Sequence, residues 1–279
     1  MSVAAMSKTP SRAVHGGSFE TSPKRQNGEV SKAPSKTRTL ANPPLQQVGT
    51  AVAINYLTLG VAGHLPRSNN KGGARNRADR TSDALTEAQI ANLTAAERHS
   101  RAIGLPFTRM ITIHWQAAGL ALGDMVKATG RFIDLLTKAL ARHKSKTAWL
   151  WTLENGDRKG GHCHLLVHVP AALVSLLTRL QKGWLRRITG KAYRARVIRS
   201  EPIGGRLGLE TGNPALHAIN LAVALGYVLK GADAVAAEQF GLERLEAGGR
   251  IIGKRCGTSQ NIGATARKQR NDDDKKGDG

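Results

Sequence analysis

The chain has 279 residues and a formal net charge of +22, with 42 Lys and Arg against 20 Asp and Glu. No apolar run reaches the ~18 residues of a membrane span, and the N-terminus lacks the apolar stretch of a secretory signal. Cys163 and Cys256 form neither a disulfide framework nor a CxxC zinc site. This balance implies a soluble cytoplasmic protein with a polyanionic partner, most simply nucleic acid.

The elements read as follows in chain order. Residues 1–48 are rich in Ser, Thr, Pro, Gly, Lys and Arg without periodicity and are expected to be disordered. Residues 50–61 form a short apolar patch, and 66–82 are again polar and basic. Residues 86–103 predict a helix with Thr86 as N-cap and Gly104 near its end. The first 104 residues therefore read as a largely disordered basic region carrying one short helix, and a folded core is expected over 105–248.

Within that core, 108–115 alternates and is β-branched, so a strand is predicted. Residues 123–143 have helical spacing, with Met125, Phe132, Leu135, Leu136 and Leu140 on one face. Residues 146–154 predict a second strand, Asn155-Gly156-Asp157 a turn, and 162–169 a third strand ended by Pro170. A helix over 171–185, a strand over 192–200, a loop over 204–212 and a helix over 214–230 complete it. The order is strand, helix, strand, strand, helix, strand, helix. That is an α+β, ferredoxin-like split βαβ core: one antiparallel sheet flanked by helices, with an added C-terminal helix. Residues 249–279 read as a basic and polar tail.

The chemistry concentrates in Gly160-Gly161-His162-Cys163-His164-Leu165. On a strand, His162 and His164 share one face and Cys163 points to the other, which makes the thiol a poor ligand. Two imidazoles on a rigid support are one way to hold a divalent metal. If 155–161 closes a hairpin, the Glu154 carboxylate lies across from both rings. Imidazole plus carboxylate with open positions suits Mg2+ or Mn2+. A histidine-triad hydrolase needs a third alternating histidine where Leu166 stands, and His168 comes too late.

Tyr227 and Lys230 lie one turn apart on the last core helix. The pair suggests a tyrosine nucleophile whose phenolate, or whose target phosphate, is favoured by the ammonium. Tyr193, among Lys191, Arg194 and Arg196, is the alternative nucleophile. Basic residues Lys182, Arg186, Arg187, Lys191, Arg194 and Arg196 are candidates to track a DNA backbone. Lys254 and Arg255 sit in a segment that resembles a basic phosphate-contacting loop. At 4% aromatic content base stacking does not dominate, and Trp115, Trp149 and Trp151 read as core.

Three motifs occur in order: Ile111-Thr112-Ile113-His114-Trp115, then His162-Cys163-His164, then Tyr227 to Lys230. Over residues 107–230 this resembles the HUH endonuclease superfamily, specifically single-tyrosine rolling-circle replication initiators and related relaxases and transposases. The step from Glu154 to His162 fits the acidic third ligand of several members. Cys163 departs from the usual bulky aliphatic but behaves as a small hydrophobe.

The resemblance implies metal-dependent nicking of single-stranded or origin DNA. Tyr227 would form a 5′-phosphotyrosine and free a 3′-hydroxyl, with initiation of rolling-circle replication of a plasmid or phage-like element as the role. No GxxxxGK[ST] follows in this sequence, so unwinding is expected from a host helicase. A transposase or mobilisation relaxase with the same chemistry, and a non-catalytic basic nucleic-acid-binding protein, are the alternatives.

Overall fold

The computed structural model describes residues 79–157 and 159–277. The expected disorder over 1–48 and the apolar patch at 50–61 lie outside the described residues. The elements are β1 (Thr81–Ser82), α1 (Glu87–Ala102), β2 (Arg109–Ile113), α2 (Met125–Arg142), β3 (Trp149–Gly156), β4 (Gly160–Val167) and α3 (Val174–Thr189). They continue with β5 (Ile198–Pro202), α4 (Leu209–Gly212), α5 (Pro214–Leu229), α6 (Ala234–Gln239), β6 (Ile251–Ile252), β7 (Cys256–Thr258) and α7 (Ala264–Gly277).

The main sheet has the strand order β5-β2-β4-β3-β7, and every pairing in it is antiparallel. Without β7, the unit β2-α2-β3-β4-α3-β5 is the expected ferredoxin-like arrangement. Alternation along the strands sorts side chains into two layers. Ile111, Ile113, Leu153, Cys163 and Leu165 point to one face and pack under α2 and α3, where Phe132, Leu136, Leu177 and Trp184 meet them. Leu150 and Leu166 point to the other face, covered by Ile90 and Leu93 of α1 and by Leu221, Leu225 and Val228 of α5. Trp115 is fully buried, with its indole N–H donating to Thr129 Oγ1 at 2.9 Å. Trp151 is also buried, whereas Trp149 is only partly covered.

Two boundaries move for identifiable reasons. The helix expected from residue 171 opens as a 3-10 turn at Ala171–Leu173 and runs on to Thr189, where Gly190 takes a positive φ of 67°. The strand expected over 192–200 begins only at Ile198, because Arg196 adopts φ 67° and breaks the extended chain.

The larger correction concerns the tail expected from residue 249. Ile251–Ile252 pairs with Thr81–Ser82, and Cys256–Thr258 adds a fifth strand on the free edge of β3. α7 then runs through the mixed-charge stretch. Gly249 crosses the end of β3 at φ 65°, so close that a Cβ there would strike the Asn155 carbonyl.

Arg255, expected on DNA, is 1% exposed. Its guanidinium donates to the carbonyls of Ser82, Leu153, Gly248 and Gly249, tying β1, β3 and the C-terminal segment together. Burial strips this charge of water, a cost that is tolerable only because the fork is satisfied on every side. Arg255→Met should lower stability by roughly 2–4 kcal/mol through orphaned buried carbonyls, whereas exposed Lys254→Ala should change it by less than about 0.5 kcal/mol. Urea unfolding midpoints of the two variants check this.

Candidate active site

The β3–β4 register sets the site. Glu154 stands opposite His162, and Thr152 opposite His164. All four point to the face covered by α5, and Cys163 points into the opposite core, where burial pushes its thiol up to about 12. The Glu154, His162 and His164 ligand atoms lie within 4.8 Å of one another, and all three residues are buried.

The far side of each ring is anchored. His162 Nδ1 donates to Gly160 O at 2.8 Å, and His164 Nδ1 shares a 3.0 Å hydrogen bond with Thr112 Oγ1. Both Nε2 atoms therefore face inward, at 3.2 Å and 3.5 Å from Glu154 Oε2. A carbonyl only accepts, so His162 Nδ1 carries the proton of that bond.

A buried carboxylate also needs a cation beside it. The Lys230 ammonium, 1% exposed, supplies one: it contacts Glu154 Oε2 and lies 3.5 Å from His164 Nε2. Burial alone would raise the Glu154 carboxyl. Hydrogen bonding from His162 and His164 and the Lys230 charge reverse that and hold it well below the usual carboxylate range. Burial also pushes the His164 ring down to about 4, so it is neutral at physiological pH.

This set fits a divalent ion. Two inward nitrogens with outer-face anchors match the pattern of metal-ligating histidines. Among the described residues, Glu154 Oε1 is buried without a hydrogen-bond partner, leaving a second carboxylate oxygen for a ligand.

Tyr227 reaches the site from α5. Asn213 caps that helix, its side chain accepting from the Leu216 amide at 3.0 Å, and Pro214 opens the first turn. At the other end Thr152 Oγ1 donates to Val228 O at 3.1 Å, clamping the last turn onto the sheet. The Tyr227 ring meets His164 edge-on at 5.0 Å. Lys230 and Arg244 lie 4.7 Å and 5.0 Å from the ring centre. Burial, then the charges of Glu154 and Glu246, raise the phenol above its ordinary value, while Arg244 and Arg199 oppose the rise.

A cavity of about 370 Å3 is lined by the two histidines with Met110, Thr112, His114, Lys159, Arg199, Glu201 and Tyr227, and Arg199 pairs with Glu201 at 2.6 Å. His114 stacks on His162 with ring centres 5.3 Å apart. His114 belongs to the Ile111–Trp115 motif, but nothing in its spacing marks it as a site residue. Arg199 ends the basic stretch and reaches this face because it pairs with Thr112. Arg244 and Glu246 carry no motif or period that would have marked them.

The other basic candidates stand elsewhere. Lys182, Arg186 and Arg187 are exposed on α3, which packs on the opposite side of the sheet. Lys191 and Arg194 donate to Gly119 O and Ala117 O at 2.6 Å and 3.5 Å, and Arg196 and Lys254 are exposed. Tyr193, the alternative nucleophile, packs against the α2–α3 core with Lys182 5.6 Å from its ring, away from the histidines.

No protein-family model matches the chain, and no curated protein matches it. Among solved structures it is similar to the N-terminal nuclease domain of non-structural protein 1 of minute virus of mice. That likeness has 13% identity over 50% of this chain and 52% of that one, with a TM-score of 0.22. The chain thus spans about half the length of that domain, whose description names a Zn2+ site and recognition of DNA at the origin of replication.

Among the described residues, no helix is long and apolar enough to cross a membrane. Replacing His162 or His164 by Ala should weaken Mn2+ binding by at least the roughly 10–100-fold that loss of an outer-sphere partner costs. Cys163→Ala should leave it unchanged. Isothermal titration of the full chain measures both.

Proposed function

We propose that the chain is a metal-dependent single-strand DNA nicking and strand-transfer enzyme of the HUH type, with Tyr227 as nucleophile. The observation that carries this is the convergence of Glu154, His162 and His164, with both histidines and the Tyr227 ring lining one cavity bordered by Lys159 and Arg199. A rigid sheet holds the ligands and a clamped helix holds the phenol, as a reaction needing both on one phosphate requires.

A divalent ion on the three ligands would polarise the phosphorus of one DNA phosphodiester. Mg2+ and Mn2+ are the candidates, and the two imidazole donors favour Mn2+ of the pair. Tyr227 Oη attacks phosphorus. The Oη–P bond forms, the P–O3′ bond breaks, the phenol proton passes to solvent, and O3′ leaves as a hydroxyl after taking up a proton. The product is a 5′-phosphotyrosine. The diester count is unchanged, so a 3′-hydroxyl can later reverse the step and reseal the strand. Lys230 and Arg244 keep positive charge beside the phenol as it ionises.

The net charge of +22 supports DNA as the partner. Exposed Lys182, Arg186, Arg187, Arg196 and Lys254 are assigned to backbone contacts outside the cavity, and Lys159 and Arg199 to the strand entering it. Rolling-circle initiation on a plasmid or phage-like element, with strand separation by a host helicase, is the setting we assign. Transposition or mobilisation would use the same residues.

Incubation with a labelled single-stranded oligonucleotide pool and Mn2+ should give a protein–DNA adduct that survives denaturing electrophoresis. Tyr227→Phe and EDTA should each abolish it. DNA binding without any adduct in the wild type would leave only a basic nucleic-acid-binding protein. Because the phenol is held above its ordinary value of about 10, its ionised fraction is small at neutral pH and grows about tenfold per unit. The rate of adduct formation should therefore climb from pH 7 to pH 9 without a plateau, as single-turnover measurements would read.

A further inference from the structure

Lys230 and a divalent ion have claims on the same oxygen. The ammonium contacts Glu154 Oε2, the carboxylate oxygen that faces both Nε2 atoms. Two cations cannot share that oxygen in a buried site without strong repulsion. The lysine cannot simply withdraw into solvent either, because it is 1% exposed at the end of α5. One other carboxylate is within reach: Glu246 Oε2, 3.6 Å from the ammonium.

Glu246 is built to stay there. Its backbone N–H donates to Lys230 O at 2.9 Å, which ties the two residues main chain to main chain. Its Oε1 accepts from Arg244 Nε at 2.9 Å, leaving Oε2 turned to the lysine. Arg244 in turn lies 5.0 Å from the Tyr227 ring centre, and Lys230 4.7 Å.

We infer that Glu246 is a positioning residue. It is the second acceptor for Lys230, and ion binding hands the ammonium from Glu154 to Glu246. The flexible lysine stem needs only a small swing to change partner. The exchange keeps Lys230 beside the phenol and frees both Glu154 oxygens for the ion. This rests on the metal-site reading above and adds to it the residue that makes room for the ion.

The exchange predicts opposite effects for two neighbouring charges. By titration of the full chain with Mn2+, Lys230→Met should bind about tenfold tighter than the wild type, because no ammonium competes, and Glu246→Gln should bind about tenfold weaker, because the ammonium keeps its hold on Glu154. The double variant should match Lys230→Met, since Glu246 acts only through the lysine. Glu246→Asp should recover part of the loss.

Equal or weaker binding by Lys230→Met, or a double variant that keeps the Glu246→Gln loss, overturns the exchange. A wild type that takes up Mn2+ through His162 while Lys230→Met matches it sinks this inference alone. A wild type that takes up no Mn2+ sinks the metal site and the inference together. Should Lys230→Met not fold, the contrast between Glu246→Gln and Glu246→Asp still decides: two affinities equal to the wild type reject the role, and a loss recovered by Asp supports it.

Discussion

The pairing of Glu154 with His162 across the β3–β4 hairpin is the constraint on which the site depends. Side chains on a strand alternate, so a slip of one residue in this register would turn one strand's site residues into the α2–α3 core. It would also bring that strand's apolar residues out beneath α5. Burial on both faces makes such a slip costly, because Leu153, Cys163 and Leu165 are locked under α2 and α3. The hydrophobic core on one side of the sheet thus fixes the chemistry on the other.

Tyr227 depends on a second, smaller contact. α5 is apolar along much of its length and lies on the sheet through Leu221, Leu225 and Val228. Apolar packing alone is non-directional and leaves the rotation and slide of a helix loosely defined. The Thr152 hydroxyl on Val228 O and the His217 ring on Phe107 O supply direction at the two ends. Thr152 also sits opposite His164, so one strand position fixes the tyrosine and neighbours a metal-ligand candidate.

The sequence discloses some of this and hides the rest for physical reasons. The hairpin was legible because the turn signal Asn155-Gly156-Asp157 separates two strand-like runs, although Asn155 and Gly156 still pair with Gly161 and Gly160 and only Asp157 lies beyond β3. The inward imidazoles were legible because i and i+2 on a strand can only share a face. Which layer covers that face was not legible. Lys182, Arg186 and Arg187 form a basic stripe on α3, but the helical period does not say on which side of the sheet a helix will pack.

Arg255 was hidden for another reason. Its partners are backbone carbonyls, which every residue carries, so nothing in the neighbouring side chains marks it as buried. β6 and β7, at two and three residues, are too short for an alternating pattern. Glu246 lies in irregular chain and reaches the site through its main-chain bond to Lys230.

The buried polar set is poor material for stability. A carboxylate, an ammonium and two imidazoles lose their hydration together, and one carboxylate oxygen has no partner at all among the described residues. Apolar residues of the same volume would fold as well or better, because buried ion pairs seldom recover their desolvation in full. Well-packed apolar layers lie within the same sheet, at Leu150 and Leu166 on this very face, so the fold does not need charge here. What the polar set adds is a spot where a cation is held firmly but not completely satisfied, next to a phenol that burial and two carboxylates keep protonated. Such a spot is worth little to a scaffold and much to a reaction on a phosphate, which is why the site argues for an enzyme more strongly than the net charge does.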